Sequence, residues 1–317
     1  MAKTIQVFET NTDTGETRQV FVETNESKNK KQAKIEKYKN DLAEKQRRLK
    51  EYGAFVWLVY NCNDTLFDKI KPANLTRLIY LSTYLNYDGY IVDNSNLRAI
   101  TRDQIKGILG IEEATFWRFW RECSKDYDII FERNGKVFFN EVYFDKGKLP
   151  KTDDNVIKLY VDGIRSIYNS SSISSHKQLS YIFRIIPYVN RRYNIVCKNP
   201  FEIDLDKIDF MTLGEFCNII NYKKENINIL KKDLLSAKID GVGYMVTFLV
   251  QGFEAINTWR MIVNPRIYFA GTDYVRSIYC QNFKQYNKEI FRTGYFLIVA
   301  KHRCFLYPIR FLLYIIE

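Results

Sequence analysis

The sequence predicts an α+β fold: two tandem copies of one helical unit, each closed by a β-hairpin, behind an N-terminal hairpin and a basic helix. Two observations predict it. The stretch ITRDQIKGILGIEEATFWRFW at residues 100–120 is written again, without a gap, as MTLGEFCNIINYKKENINILK at residues 211–231. After each copy come alternating apolar segments that end alike, in NEVYFDKG and NPRIYFAG. The chain of 317 residues is too long for one ordinary core, and its 46% hydrophobic content suffices for globular domains. The expected division is 1–52 (hairpin and basic helix), 53–150 (first copy), 151–175 (connecting helix and Ser-rich joint), 176–280 (second copy) and 281–317 (apolar, basic tail).

The elements follow in order. TIQVFETNTDTGETRQVFVET alternates apolar residues on both sides of a polar turn at Asp13-Thr14-Gly15, the pattern of a hairpin. Residues 26–51 hold strong helix formers with neither Gly nor Pro, ten Lys/Arg and five acids. Ile35, Tyr38, Leu42 and Leu49 are their sparse apolar positions, so this helix is mostly solvated. It is either a charged surface helix or a basic arm lying along phosphates. AFVWLVYN is a continuous apolar run ending near a turn at Asn63-Asp64, which reads as a buried strand. In LTRLIYLSTYLNY the residues Leu75, Leu78, Ile79, Leu81 and Leu85 have helical spacing, with Asn74 placed to cap.

The repeated stretch then begins. Thr101 with Gln104, and Thr212 with Glu215, occupy the slots of a capping box, in which the hydroxyl and the longer side chain serve each other's backbone amides. Ile105, Ile108 and Leu109 match Phe216, Ile219 and Ile220. A sharp turn follows at Gly110-Ile111 or Asn221-Tyr222, where Gly and Asn tolerate a left-handed backbone. The next helix turns Phe116, Phe119 and Cys123, or Ile227, Leu230 and Leu234, inward. The flank before each copy repeats too: LIYLSTYLNY matches LSYIFRIIPY. Downstream, IIFERNGKVFFN is a hairpin about Asn134-Gly135, and VGYMVTFLVQGFEAINTWRMIVN is a longer one. Val156, Ile157, Tyr160, Val161, Ile164 and Tyr168 read as an amphipathic connecting helix ended by the serines at 170–175.

Helix, sharp turn, helix and hairpin make a winged helix, and here it is duplicated. Such a unit sets its second helix in the major groove of DNA, and outward side chains read base edges or hold phosphates. In the first copy the outward residues are Glu113, Thr115, Trp117, Arg118 and Arg121. The Arg118 fork suits guanine. In the second they are Lys224, Asn226, Asn228, Lys231 and Lys232, with the asparagines suited to adenine and the lysines to phosphate. Arg133 and Lys136 flank the first hairpin tip and are placed for the backbone or minor groove. Glu112 and Glu113 suit the helix dipole but repel phosphates. Trp120 reads as core, and Trp117 as packing or groove contact.

Net charge is +11, concentrated in residues 26–51 and in 281–317, where six basic residues face two acids. Such a balance points to a polyanion, nucleic acid before an anionic membrane. Six cysteines without a C-x-x-C pair and two histidines argue against zinc and for buried free thiols, a cytoplasmic usage. The first residues carry no signal-peptide pattern. The tail's apolar runs are broken by charges and Pro308 and fall short of the roughly 20 residues a span needs; they read as strands or a docked segment. No phosphate-binding or dinucleotide fingerprint, metal ligand set or nucleophile constellation appears, so neither cofactor nor catalysis is expected.

FVWLVYNCNDTLFDKIKPANLTRLIYLSTYLNYDG followed by ILGIEEATFWRFWREC resembles helix-turn-helix proteins of Gram-positive phages and plasmids. The tandem arrangement is similar to that of plasmid replication initiators over about residues 54–271. The resemblance implies binding to double-stranded DNA at repeated or palindromic sites, in transcription regulation or replication initiation. The expected partner is therefore duplex DNA, with homodimerisation left open and no integral membrane association. The alternative is a non-catalytic adaptor or inhibitor that uses the same surfaces and Trp117 to bind a host or defence protein.

Overall fold

A computed structural model describes residues 4–23, 25–60, 65–93, 95–147, 155–236, 238–239, 243–244, 246–249, 259–269, 295–300 and 303–308. The chain divides into two compact units, Met1–Gly53 and Ala54–Glu317. The fold is mixed α+β, with helices and several small antiparallel sheets.

In the first unit β1 (Thr4–Thr10) pairs antiparallel with β2 (Thr17–Glu23). Their turn is closed by the Asn11 side chain, which accepts the Asp13 amide at 2.9 Å, and by Gly15 at a φ of 73°. Helix α1 (Asn25–Tyr52) follows, unbroken over 28 residues because nothing in it disfavours the helix. Ile35, Tyr38 and Leu42 are exposed along it.

The second unit opens with β3 (Phe55–Tyr60), α2 (Thr65–Asp68) and α3 (Pro72–Ser82). Then come α4 (Arg102–Leu109) and α5 (Glu113–Trp120), the latter prolonged by a π-helical segment, Arg121–Asp126. The hairpin β4 (Ile130–Arg133) and β5 (Lys136–Phe139) turns at Asn134 and Gly135, with φ of 53° and 69°. Positive φ at both central residues suits the right-handed twist of the strands. β6 (Phe144–Asp145) ends the first copy.

The second copy comprises β7 (Asn155–Tyr160), α6 (Val161–Asn169), α7 (His176–Arg184), α8 (Leu213–Ile219) and α9 (Ile227–Ser236). Short strands follow: β8 (Lys238–Ile239), β9 (Gly243–Tyr244), β10 (Val246–Leu249), β11 (Arg260–Val263) and β12 (Tyr268–Phe269). β10 pairs with β11, and the tip of this expected hairpin lies outside the described residues, as do Asn63, Asp64, Cys62 and Cys280. In the tail β13 (Tyr295–Ala300) pairs with β14 (Arg303–Pro308).

Two local readings are corrected. The connecting helix expected from Val156 onward is a strand up to Tyr160 and a helix only from Val161. Ile157, Leu159 and Tyr160 are buried there, and the backbone is taken up by pairing on both sides, which outweighs the helical spacing. Asn74 is not a cap. Pro72 stands at the first helical position, which its fixed φ suits, and Asn74 lies buried in the first turn.

The second unit's main sheet runs β12-β7-β3-β6. Trp57 faces Lys158 at its centre, flanked by the pairs Val56–Leu159 and Leu58–Ile157. On the outer sides Trp57–Asp145 and Leu58–Phe144 mirror Lys158–Phe269 and Leu159–Tyr268. Exchanging Trp57 with Lys158 and Asp145 with Phe269 reproduces every one of these pairs. The sheet thus has an approximate internal twofold through Trp57–Lys158, and it joins the opening strand and closing strand of each copy.

The equivalent helices α3 and α7 pack on each other, and one buried hydrophobic cluster runs from Val56 to Tyr268 through both copies. Polar groups at this seam are matched. Thr76 Oγ1 donates to His176 O at 2.7 Å, Tyr268 Oη to Ile182 O at 2.8 Å and Tyr168 Oη to Leu109 O at 2.9 Å. Tyr168 is stacked between Tyr80, at 3.7 Å, and His176, at 4.4 Å. The second copy closes tightly here. A Cβ on Gly163 would lie 2.0 Å from Arg266 O, a backbone atom that has no free rotation.

Gly163→Ala should therefore destabilise the protein by at least about 2–3 kcal/mol, since overpacking against backbone cannot relax locally; chemical denaturation gives the value, and an unchanged midpoint would contradict the close contact. A second expectation concerns His176. Burial, and then the charge of Arg77, push its imidazole from the usual 6.5 down to about 4. The folded state thus favours the neutral ring, so stability is full above pH 6.5 and is lost as pH falls toward 4. His176→Phe keeps the stacking and should remove on the order of 2 kcal/mol of the acid-side decline, read from urea melts at pH 7 and pH 4.5.

Candidate nucleic-acid interface

The two helix pairs are built alike. In the second, Thr212 and Glu215 cap reciprocally: the Glu215 amide donates to Thr212 Oγ1 at 3.2 Å and the Thr212 amide to Glu215 Oε2 at 2.8 Å. In the first, the Thr101 amide donates to Gln104 Oε1 at 2.9 Å. Gly110 and Asn221 make the turns at φ of 63° and 52°. Phe116, Phe119 and Cys123 are buried on one inner face, Ile227, Leu230 and Leu234 on the other. Ile105 and Leu109 are buried, as are Phe216 and Ile220, whereas Ile219 is exposed at the end of α8.

With those faces inside, the remaining side chains of α5 look outward. Glu113, Trp117, Arg118 and Arg121 are exposed and Thr115 is half-buried. They are not free of each other. Glu113 accepts from Lys106 Nζ at 2.5 Å and from the Trp117 indole N–H at 3.0 Å, and these two partners, with Lys106 first, hold its carboxyl below the usual range. The repulsion expected of Glu113 toward phosphate is thereby offset. Arg118 lies back along its own helix, its Nε donating to Ala114 O at 3.1 Å and a terminal nitrogen to Thr115 Oγ1 at 3.3 Å. Trp117 carries the Arg102 guanidinium 5.4 Å from its ring centre, and Trp120 is buried.

On the second copy Lys224 and Asn226 stand in a 3₁₀ turn that precedes α9, so they flank the helix rather than open it. Asn228 and Lys232 are exposed on α9, beside the exposed Ile229. Lys231 is half-buried with its ammonium 4.0 Å from the Trp259 ring centre, and burial lowers its pKa. At the first hairpin tip Arg133 lies 5.1 Å over Phe138 and Lys136 4.3 Å over Tyr90.

Behind α5 a buried polar group fixes the π-helical segment. Glu122 accepts the Lys71 amide at 3.0 Å and the Asn74 side-chain amide, and Asn74 in turn accepts from Arg77 at 2.7 Å. A carboxylate from the end of one helix thus satisfies the start of another. Two residues not anticipated from the sequence, Arg102 and Lys125, join Trp117, Trp120, Arg118 and Arg121 around a cleft of about 390 Å³. Lys125 was findable, being helically spaced from Trp117 and Arg121. Arg102 was not, because only the fold of α4 against α5 brings it there.

Cys123, Cys197 and Cys217 are buried and unbridged. Among the described residues no group of His, Cys, Asp and Glu is placed to hold a metal, and no helix is long and apolar enough to cross a membrane. No family model matches the chain, and comparison with curated proteins and with solved structures gives no significant match.

Removing the Glu122 carboxylate strands two amide donors in a buried site. Glu122→Ala should cost about 2 kcal/mol and raise hydrogen exchange across residues 121–126, with the α9 region unaffected; uniform exchange across both copies would show that Glu122 does not anchor this segment.

Proposed function

We propose that the chain is a sequence-specific duplex-DNA-binding protein of tandem winged-helix architecture, acting at a regulatory or replication-origin sequence of a phage or plasmid. The observation that carries the reading is the internal twofold of the main sheet, combined with two exposed helix faces of different chemistry, each carrying basic side chains. A twofold between two reading units matches the antiparallel strands of a duplex, whose half-sites are inverted relative to each other. Because the two faces differ, the preferred site is an imperfect inverted repeat.

The first half is read by Arg118 and Thr115, with Trp117 beside them. The Arg118 fork must swing off Ala114 and Thr115 to reach a guanine, at the cost of two surface hydrogen bonds. The second half is read by Asn226 and Asn228, with Lys224 and Lys232 on phosphates. Lys231 reaches DNA only by leaving Trp259. Arg121, Arg133 and Lys136 add backbone contacts in the first copy. α1, with its excess of Lys and Arg, adds affinity without sequence preference.

The exposed Ile219 and Ile229 favour a second reading, in which the α8–α9 face binds a protein. Salt dependence separates the two. Duplex affinity should fall with a log–log slope of about −0.9 for each phosphate neutralised. A stable protein complex without duplex binding at low salt would support the adaptor instead.

Selection from a random duplex library should return a bipartite inverted site. Arg118→Ala should relax preference in one half and cost about 1–3 kcal/mol. The pair Lys231→Ala and Lys232→Ala should weaken all sequences alike, with most of the loss from Lys232. Wild-type binding by both variants would remove the recognition-helix assignment.

A further inference from the structure

The cleft on the first copy shares Trp117, Arg118 and Arg121 with the proposed duplex face, but it offers a stacking seat that a double helix, its bases already paired and stacked, does not use. Its lining is Arg102, Trp117, Arg118, Trp120, Arg121 and Lys125. Four are cations, two are indoles and none is a carboxylate. Arg102 is engaged, by Glu132 at 3.2 Å and by the Trp117 ring. Arg118 bonds only within its own helix, to Ala114 and Thr115. Arg121 and Lys125 are exposed, and the nearby buried carboxylate, Glu122, is spent on Lys71 and Asn74. The buried guanidinium of Arg77 lies near enough for Arg118 to oppose its charge, second to burial among the effects lowering its pKa, so the cleft is backed by a further cation. Arg102 is thus compensated, with Asp103 also 3.5 Å from its Nε, whereas Arg118, Arg121 and Lys125 have no carboxylate partner among the described residues.

The size limits the occupant. About 390 Å³ is at the small end of ligand sites and far too narrow for a double helix. One nucleotide unit fits: a base against indole, its phosphate on Arg118, Arg121 and Lys125. Aromatic faces set beside a basic track are how proteins hold unpaired strands, because every base offers a π face and every linkage a charge.

The cleft is also particular to one copy. In register, Trp117, Arg118 and Lys125 correspond to Asn228, Ile229 and Ser236, and Arg102 to Leu213. The core pattern is shared and Arg121 keeps a basic counterpart in Lys232, but the two indoles, Arg102, Arg118 and Lys125 have no like counterpart. Among the described residues only the first copy continues its second helix as a π-helical segment, which carries Arg121 and Lys125, and such segments are frequent at functional sites.

We infer that the cleft formed by Arg102, Trp117, Arg118, Trp120, Arg121 and Lys125 binds an unpaired nucleotide of a single DNA strand, its base stacked on Trp117 and its phosphate held by the basic side chains. This activity goes beyond duplex recognition and stands or falls separately from it.

The test uses the full chain with a single-stranded thymidine hexanucleotide, read by quenching of tryptophan fluorescence and by anisotropy of a labelled strand. Trp117 is exposed, Trp259 is half-buried under Lys231, and Trp57 and Trp120 are buried, so the part of the quenching that Trp117→Ala removes is the part assigned to the cleft. Wild type should bind the hexamer and be quenched. Trp117→Ala should weaken binding about tenfold, as should the pair Arg121→Gln and Lys125→Gln; all three side chains are exposed, so folding should survive, checked by thermal melting. A hexamer with abasic sites should bind about tenfold more weakly to wild type and equally to wild type and Trp117→Ala. Equal binding of abasic and normal hexamers by wild type would overturn the stacking seat, and unchanged affinity in the variants would overturn the cleft. Duplex bound without hexamer sinks this inference and leaves the proposed function standing. Hexamer bound without duplex does the reverse.

Discussion

Pairing of Phe55–Tyr60 with Asn155–Tyr160 is the constraint from which the second unit is built. Each strand opens one copy of the repeat, and each is flanked on its other side by a closing strand. Neither copy can complete its sheet alone. Separation would expose the pairing edge of a central strand whose residues from Val56 to Tyr60 are buried, an arrangement that invites aggregation. The register is strictly set, because a slip of one residue would turn Leu58 and Leu159 out of the core. The packing of α3 on α7 then follows from the same twofold, and the shared core ties the two helix pairs into one body.

That body explains how the outward faces diverged while the inward faces did not. Phe116, Phe119 and Cys123 are met by Ile227, Leu230 and Leu234, different side chains filling matching volumes. Cores tolerate such exchange when size and pattern are kept. Outside, Trp117, Arg118 and Arg121 correspond in register to Asn228, Ile229 and Lys232. Packing sets no limit on those exposed positions.

Much of this architecture was legible in the sequence, and the failures are informative. The helix pairs, their turns at Gly110 and Asn221, the Asn134-Gly135 hairpin and the strand at Phe55 are written in local pattern, because each depends on spacing or on a residue suited to positive φ. The strand at Asn155 was not, since Val156, Ile157, Tyr160 and Val161 also fit a helical face. Only the distant partner strand decides between the two. Asn74 was misjudged for a similar reason. Its amide is claimed by Glu122, far along the chain, and not by its own helix end. In the candidate site, outward positions were readable from helical period, but what neighbours do to them was not. Glu113 is offset by Lys106, and Lys231 is drawn onto Trp259, contacts that arise between elements.

Glu122 links these levels. Its carboxylate belongs to the core, satisfying Lys71 and Asn74 at the start of α3, yet it sits between Arg121 and Cys123 in the segment that carries the cleft's outer cations. A buried charge without partners would cost several kcal/mol, so these bonds hold the π-helical turn in place. Arg121 and Lys125, spaced four and eight residues beyond Trp117, fall on its side of the helix and its π-helical continuation. The geometry of the basic cleft is thus set from behind, by a polar contact between α3 and the end of α5. An exchange of Glu122 for an apolar residue would act on the cleft without touching anything bound in it.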